Sequence, residues 1–210
     1  YGLAESCLAV AFPEPGQRPG FREVSRSALE RGDVAPPVSA QEARRLASVG
    51  RALPGHQLAI AGPCGALGPG ALGEVVVRGP SLMEGYLGQG AHERTPIREG
   101  WLHTGDLGFL DDRGELFIAG RLKDLVIVRG RKFHPDDVEA VLEAEAPELV
   151  RPGGVVVVAR FDDATGADQA IAVCETSAQE EAERGALVER LKAASAAKAG
   201  LTLSEVVLVA

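Results

Sequence analysis

The sequence predicts an α+β chain in two parts. A small distorted β-barrel or sandwich of short strands comes first, and a compact unit of strands and helices follows. Three observations carry this. Over residues 53–120 the apolar residues fall in short runs bounded by glycine and proline, the pattern of closely spaced strands. After Gly120 the period changes, and Val138, Val141 and Leu142 recur at i, i+3 and i+4. Beyond them, β-rich runs alternate with one long helical stretch, as a separate α+β unit requires. These readings place a boundary within residues 121–124, giving parts 1–120 and 121–210.

The elements follow in order. Residues 12–37 are rich in Pro, Gly, Arg and Ser and lack periodicity, so they read as an irregular surface insertion with one short helix at 27–31. "SAQEARRLASVGR" is a polar return to the core. "HQLAIAG" and "GEVVVRG" read as strands, joined by the turn-rich "GPCGALGPGALG". "ELFIAG" is a further strand, entered through the turn Asp111-Asp112-Arg113-Gly114. "DLVIVRG" opens the second part as a strand. Pro135 then suits the first helical position, and Asp136 and Asp137 suit the positive end of a helix. "GVVVVARF" and "QAIAVCET" are strands joined by "DDATGAD". Residues 178–199 form a helix with Leu187, Val188, Leu191 and Ala194 on one face, and "LSEVVLVA" is a last strand.

Composition excludes several classes. The formal net charge of -8 gives no electrostatic reason to expect nucleic acid or an anionic membrane as partner. No apolar run approaches the ~20 residues of a membrane span. Cys7, Cys64 and Cys174 lie far apart with no metal-ligand spacing, so they read as reduced, buried cysteines of a cytoplasmic protein. His56, His92, His103 and His134 likewise read as surface or packing residues. The opening on "YGLAE" without a Met, and the close on "SEVVLVA", lead us to expect a fragment.

The chemistry concentrates in a few short stretches. In "TGDLG" glycines flank Asp106, so the backbone can turn sharply and present a carboxylate to a ribose diol. A simple turn cap is the competing reading. In "GRLKDLVIVRG", Arg121 follows a strand and could reach a sugar or phosphate, while Lys123 sits at the domain junction. Solvated basic residues explain the same stretch, and equally Arg129, Arg131 and Lys132. In "YGLAE" a ring and a carboxylate lie four residues apart; a ring can stack on a base and a carboxylate can hold magnesium.

Taken in order, "YGLAE", "GALGEVVVRGPSLMEGYL", "WLHTGDLG" and "GRLKDLVIVRGRKFHPDDVE" resemble the ANL superfamily of adenylate-forming enzymes. The resemblance covers most of the chain. It implies the end of a large adenylation domain over 1–120, with an insertion at about 12–45, and a small mobile C-terminal domain over 121–210. It implies ATP and Mg2+, with Tyr1 and Gly2 at the nucleotide, Glu5 on the magnesium, Asp106 and Arg121 on the ribose, and Lys123 as the hinge. Ala4 and the insertion resemble the fatty acyl-AMP ligase branch, which activates a fatty acid and passes it to the phosphopantetheine thiol of an acyl carrier protein. Lys132 stands where that branch has Asn. An acyl-CoA synthetase, a peptide-synthetase adenylation domain and a non-catalytic adenylate-binding relative are the alternatives. The family's glycine-rich phosphate loop would lie before Tyr1 and its catalytic lysine after Ala210, so the fragment alone is expected to be inactive.

Overall fold

The computed structural model describes residues 1–88, 95–128, 130–162 and 167–210. The chain divides into two units, Tyr1–Lys123 and Asp124–Ala210, each with its own apolar core.

The first unit begins with β1 (Ala11–Phe12), β2 (Phe21–Ser25), α1 (Arg26–Glu30), β3 (Ala43–Ala47) and β4 (Arg51–Ala52). β1 pairs with β4 and β2 with β3, both antiparallel. The segment 12–37 thus holds the expected short helix, α1, but also a strand, β2, which pairs with β3 from the polar return that follows. Ser25 caps α1 by accepting the Ala28 N–H at 3.0 Å, and Arg45 lies over the Phe21 ring. Val24, Leu29 and Leu46 are buried against Phe109 and Phe117 of the main sheet. A few well-spaced apolar residues ordered a stretch whose Pro and Gly content argued for a loop.

That main sheet contains β5 (Gln57–Gly62), β6 (Gly65–Leu67), β7 (Gly73–Arg78), β8 (Ile97–Arg98), β9 (Trp101–Leu110) and β10 (Leu116–Arg121). Its order is β10-β9-β7-β5-β6, with β8 also pairing β9 and every pairing antiparallel. Successive side chains point to opposite faces. Leu116 joins Val10, Ile60, Val75, Val77 and Leu102 on one face, and Phe117 stacks on Phe109 on the other. The expected barrel is not closed among the described residues. β6 has only three residues, and the outer edge of β10 is taken by residues 48–50: Val49 N–H donates to Leu116 O, and Leu116 N–H to Gly50 O. The ten-residue β9, which contains "TGD", was not foreseen as a strand.

The second unit runs β11 (Val126–Val128), β12 (Arg131–Phe133), α2 (Pro135–Glu145), β13 (Val150–Asp162), β14 (Ala167–Thr176), α3 (Glu181–Ala194) and β15 (Leu203–Val209). β12, which the sequence did not reveal, pairs antiparallel with β11. β13 pairs antiparallel and β15 parallel with β14. Pro135 and the two aspartates open α2 as expected. α3 continues through a wider turn, Ser195–Ala199, and stops at Gly200 in the left-handed region. Val138 and Leu142 of α2 and Leu187 and Leu191 of α3 pack with Val155, Val157, Ala172 and Cys174. Four residues of the expected "DDATGAD" turn, 163–166, and also His92 and Arg129, lie outside the described residues.

Cys174 is buried, and burial pushes its thiol up to about 11. Cys7 and Cys64 are exposed, against the expectation that all three are buried; Cys64 sits at the β5–β6 turn and Cys7 just after a single helical turn.

Leu142 is fully buried, whereas Val158 keeps 43% of its surface. Leu142→Ala should cost about 2–5 kcal/mol in urea unfolding of the second unit. Val158→Ala should cost less than ~1 kcal/mol. Equal losses would mean that α2 does not carry this core.

Candidate functional site

The site grows from a mismatch between two strands. β7 and β9 are in register at Val76 and His103, and again at Glu74 and Leu107. Two steps along β7 thus face four along β9, so β9 carries a two-residue bulge around Thr104, Gly105 and Asp106. Gly105 has φ of 74°, which glycine adopts without strain. Such a bulge removes ladder hydrogen bonds, and its backbone groups need other partners. Gly105 N–H donates to Glu74 Oε1 at 3.0 Å, and Asp106 N–H to Thr104 Oγ1 at 3.1 Å. Thr104 Oγ1 donates to Val75 O at 2.7 Å, and Gly105 O accepts from Leu122 N–H at 2.8 Å. Glu74 Oε2 lies 2.8 Å from His103 Nδ1.

On its other side β9 sets Asp106 directly opposite Arg121 of β10, beyond a second irregularity between Ile118 and Gly120. Arg121 Nε donates to Asp106 Oδ1 at 2.9 Å, and the Tyr1 hydroxyl donates to Oδ2 at 2.5 Å. Asp106 is only 7% exposed, while the Arg121 side chain is 65% exposed. The pair thus has a buried anion and a solvated cation. The Tyr1 ring packs at the edge of the cluster that contains Val10, Ile60 and Val75. Burial, then the Asp106 hydrogen bond, raise the Tyr1 phenol well above its ordinary value. A carboxylate offers about four acceptor positions, and these two donors use two of them. The remaining two can accept a pair of neighbouring hydroxyls.

The other expected site residues fall elsewhere. Glu5 lies in the turn Ala4–Ser6; its Oε1 accepts from the Tyr86 hydroxyl at 2.9 Å, and its backbone O from Met83 N–H. The hydrogen bond to Glu5 raises the Tyr86 phenol above its usual value. The described residues hold no cluster of three or more His, Cys, Asp or Glu that could bind a metal. One carboxylate still fits magnesium, which keeps waters and takes its other ligands from phosphates. Gly2 has a packing reason of its own: a Cβ there would sit 1.3 Å from the Leu8 carbonyl oxygen. Lys123 ends the first unit in an exposed turn. Arg131 lies over the Phe133 ring, and Lys132 is exposed. The structure therefore unites Tyr1, Asp106 and Arg121, and it adds Glu74, His103, Thr104 and Tyr86. None of these four was assigned to the site from sequence, where His103 reads as a surface or packing residue, because their roles depend on the strand register and on contacts distant along the chain.

Comparison with known proteins shows what the chain is similar to. No family model matches the chain. It is 36% identical over 162 residues to the medium-chain-fatty-acid–[acyl-carrier-protein] ligase JamA of Moorena producens, covering 71% of this chain and 27% of that protein. It is 30% identical over 228 aligned positions to the long-chain-fatty-acid–AMP ligase FadD28 of Mycobacterium tuberculosis, covering 100% of this chain and 38% of that protein. A solved structure from a study of fatty acyl-adenylate ligases of E. coli and L. pneumophila superposes with a TM-score of 0.83 at 34% identity, over 100% of this chain and 37% of that one. An indoleacetate–CoA ligase of Aromatoleum aromaticum and a 4-coumarate–CoA ligase of Glycine max are among the similar proteins as well. The chain spans roughly a third of the length of the curated relatives it matches.

Tyr1 supplies a pH test. Its folded value is raised above the ordinary 10.0, so its stabilisation is complete below about pH 10 and is lost as pH rises towards the folded value. Between pH 8 and 11 the stability of the protein should fall more steeply than that of Tyr1→Phe. Parallel curves would show that the phenol is not held by Asp106.

Proposed function

Because this chain belongs to the ANL superfamily of adenylate-forming enzymes, we propose that it is part of an AMP-forming fatty acyl ligase that loads an acyl carrier protein. One observation carries the nucleotide assignment: a buried carboxylate, already fixed by two donors, with two acceptor positions left for a ribose diol. In this reading Asp106 takes the ribose hydroxyls, Arg121 adds positive charge beside them, and Tyr1 lies against the adenine. Gly2 allows the Tyr1 segment its close approach to the backbone at Leu8. Glu5 would hold a magnesium ion, which when bound would supply positive charge against the phosphates.

The reaction has two halves. A fatty acid carboxylate oxygen attacks the α-phosphorus of ATP, forming the acyl-adenylate and releasing pyrophosphate. A thiol sulfur then attacks the acyl carbon, AMP leaves, and the thiol proton passes to solvent. The first half needs phosphates clamped and the second needs room for the thiol. We assign the first unit, Tyr1–Lys123, to the end of the adenylation domain, the second, Asp124–Ala210, to the smaller mobile domain, and Lys123 at their junction to the hinge between half-reactions. No helix among the described residues is long and apolar enough to cross a membrane. We place the reaction in the cytoplasm, where ATP and reduced thiols are available.

The similarity to JamA, a ligase named for an acyl-carrier-protein acceptor, supports the carrier over CoA. The CoA ligases among the similar proteins support the second reading, an acyl-CoA synthetase. In the full-length protein, acyl transfer to a phosphopantetheinylated carrier should exceed transfer to CoA. Preferred CoA acylation would select the second reading.

Asp106→Ala should weaken ATP binding by about 2–4 kcal/mol, the worth of one or two hydrogen bonds to a charged group. Unchanged affinity would remove Asp106 from the nucleotide site. Lys123→Pro fixes a backbone angle at the junction, so adenylation should persist while thiol transfer fails. Equal loss of both would exclude a hinge there.

A further inference from the structure

We propose that Glu74 is a positioning residue: it holds the β9 bulge in the shape that presents Asp106 to a ribose. The inference rests on the ribose reading of Asp106 given above. It starts from the bulge itself. Two extra residues in β9 leave the Gly105 N–H without a β7 backbone partner, and a buried N–H without an acceptor is costly. Glu74 lies on β7 where the register resumes, and its Oε1 takes that N–H. Its Oε2 meets His103 Nδ1, so one carboxylate grips the residues on both sides of Thr104. Thr104 in turn accepts the Asp106 N–H and donates to Val75, the β7 residue next to Glu74. Three of these contacts tie the bulge to β7, and the fourth, from Asp106 N–H to Thr104, closes the bulge on itself; together they set the direction in which Asp106 leaves the strand.

Two features make this more than general packing. The Glu74 side chain is 21% exposed and His103 24%, so the pair sits at the surface end of the bulge, outside the apolar cores. The Asp106 oxygens bond to Tyr1 and Arg121, while the Glu74 oxygens bond to Gly105 and His103. Removing the Glu74 carboxylate therefore frees the Gly105 N–H while leaving both donors on Asp106 in place. The orientation of the remaining acceptor positions should suffer, and with it the reading of the diol.

The test compares AMP with 2′,3′-dideoxy-AMP in the full-length protein, using wild type, Glu74→Ala, Glu74→Gln and Asp106→Ala. The discrimination ratio is the readout, because a general loss of fold weakens both ligands alike. Wild type should favour AMP by roughly tenfold or more, the factor expected for hydrogen bonds to a charged group. Glu74→Ala should bring the ratio close to that of Asp106→Ala in a protein that still unfolds cooperatively, with a lowered melting temperature. Glu74→Gln keeps an oxygen for the Gly105 N–H and should recover most of the ratio. Deuterium exchange in the peptide containing Gly105 should quicken in Glu74→Ala and return towards wild type in Glu74→Gln. A wild-type ratio in Glu74→Ala, with Asp106→Ala reduced, would overturn the positioning role and leave the ribose reading intact. A wild-type protein that does not distinguish the two ligands would overturn the ribose reading and this inference with it.

Discussion

The Asp106 carboxylate is the constraint around which the first unit is organised. A buried anion is tolerable only when it is paired and hydrogen-bonded, and this one is reached from two distant parts of the chain. Tyr1 approaches from residues that lead into β1, and Arg121 from the last residue of β10. The two donors tie the start and the end of the unit to the same strand, β9. Removing one partner would leave a poorly compensated charge, so the arrangement is costly to disturb and holds its shape before any ligand arrives. Such preorganisation is useful at a nucleotide site, where ordering the protein groups during binding would reduce affinity.

The surrounding fold serves that point. The sheet buries apolar residues on both faces, and the hairpin with its helix supplies Val24, Leu29 and Leu46 to one of them. The insertion therefore has a structural task in this unit. The second unit stands on a separate core, in which α2 and α3 cover one side of the β13-β14-β15 sheet. Two units with independent cores fit the proposed reaction, whose two halves need different arrangements of its domains.

Much of this was legible in the sequence, for identifiable reasons. The apolar stripe of α2, with Pro135 at its start, and the valine runs of β13 and β15 announced themselves because period and end signals agreed. Asp106 and Arg121 stood out because glycines bracket one and precede the other. What escaped reading depended on partners distant along the chain. Nothing local in "LASVG" says that it will take the outer edge of β10 and keep a barrel from closing. β12 has only three residues, too few to show alternation. Glu74 looks like an ordinary polar residue before a valine run until the register sets it across from the bulge. Tyr86 meets Glu5 across 81 residues of chain.

The central claim is that Asp106 receives the ribose while Tyr1 and Arg121 keep hold of it. A crystal structure of the full-length protein with a non-hydrolysable acyl-adenylate analogue tests this most directly. The account predicts both ribose hydroxyls at hydrogen-bonding distance from the Asp106 oxygens, with the Tyr1 hydroxyl and the Arg121 guanidinium still on the same carboxylate. A ribose turned away from Asp106, with its hydroxyls bound by other groups, would contradict it.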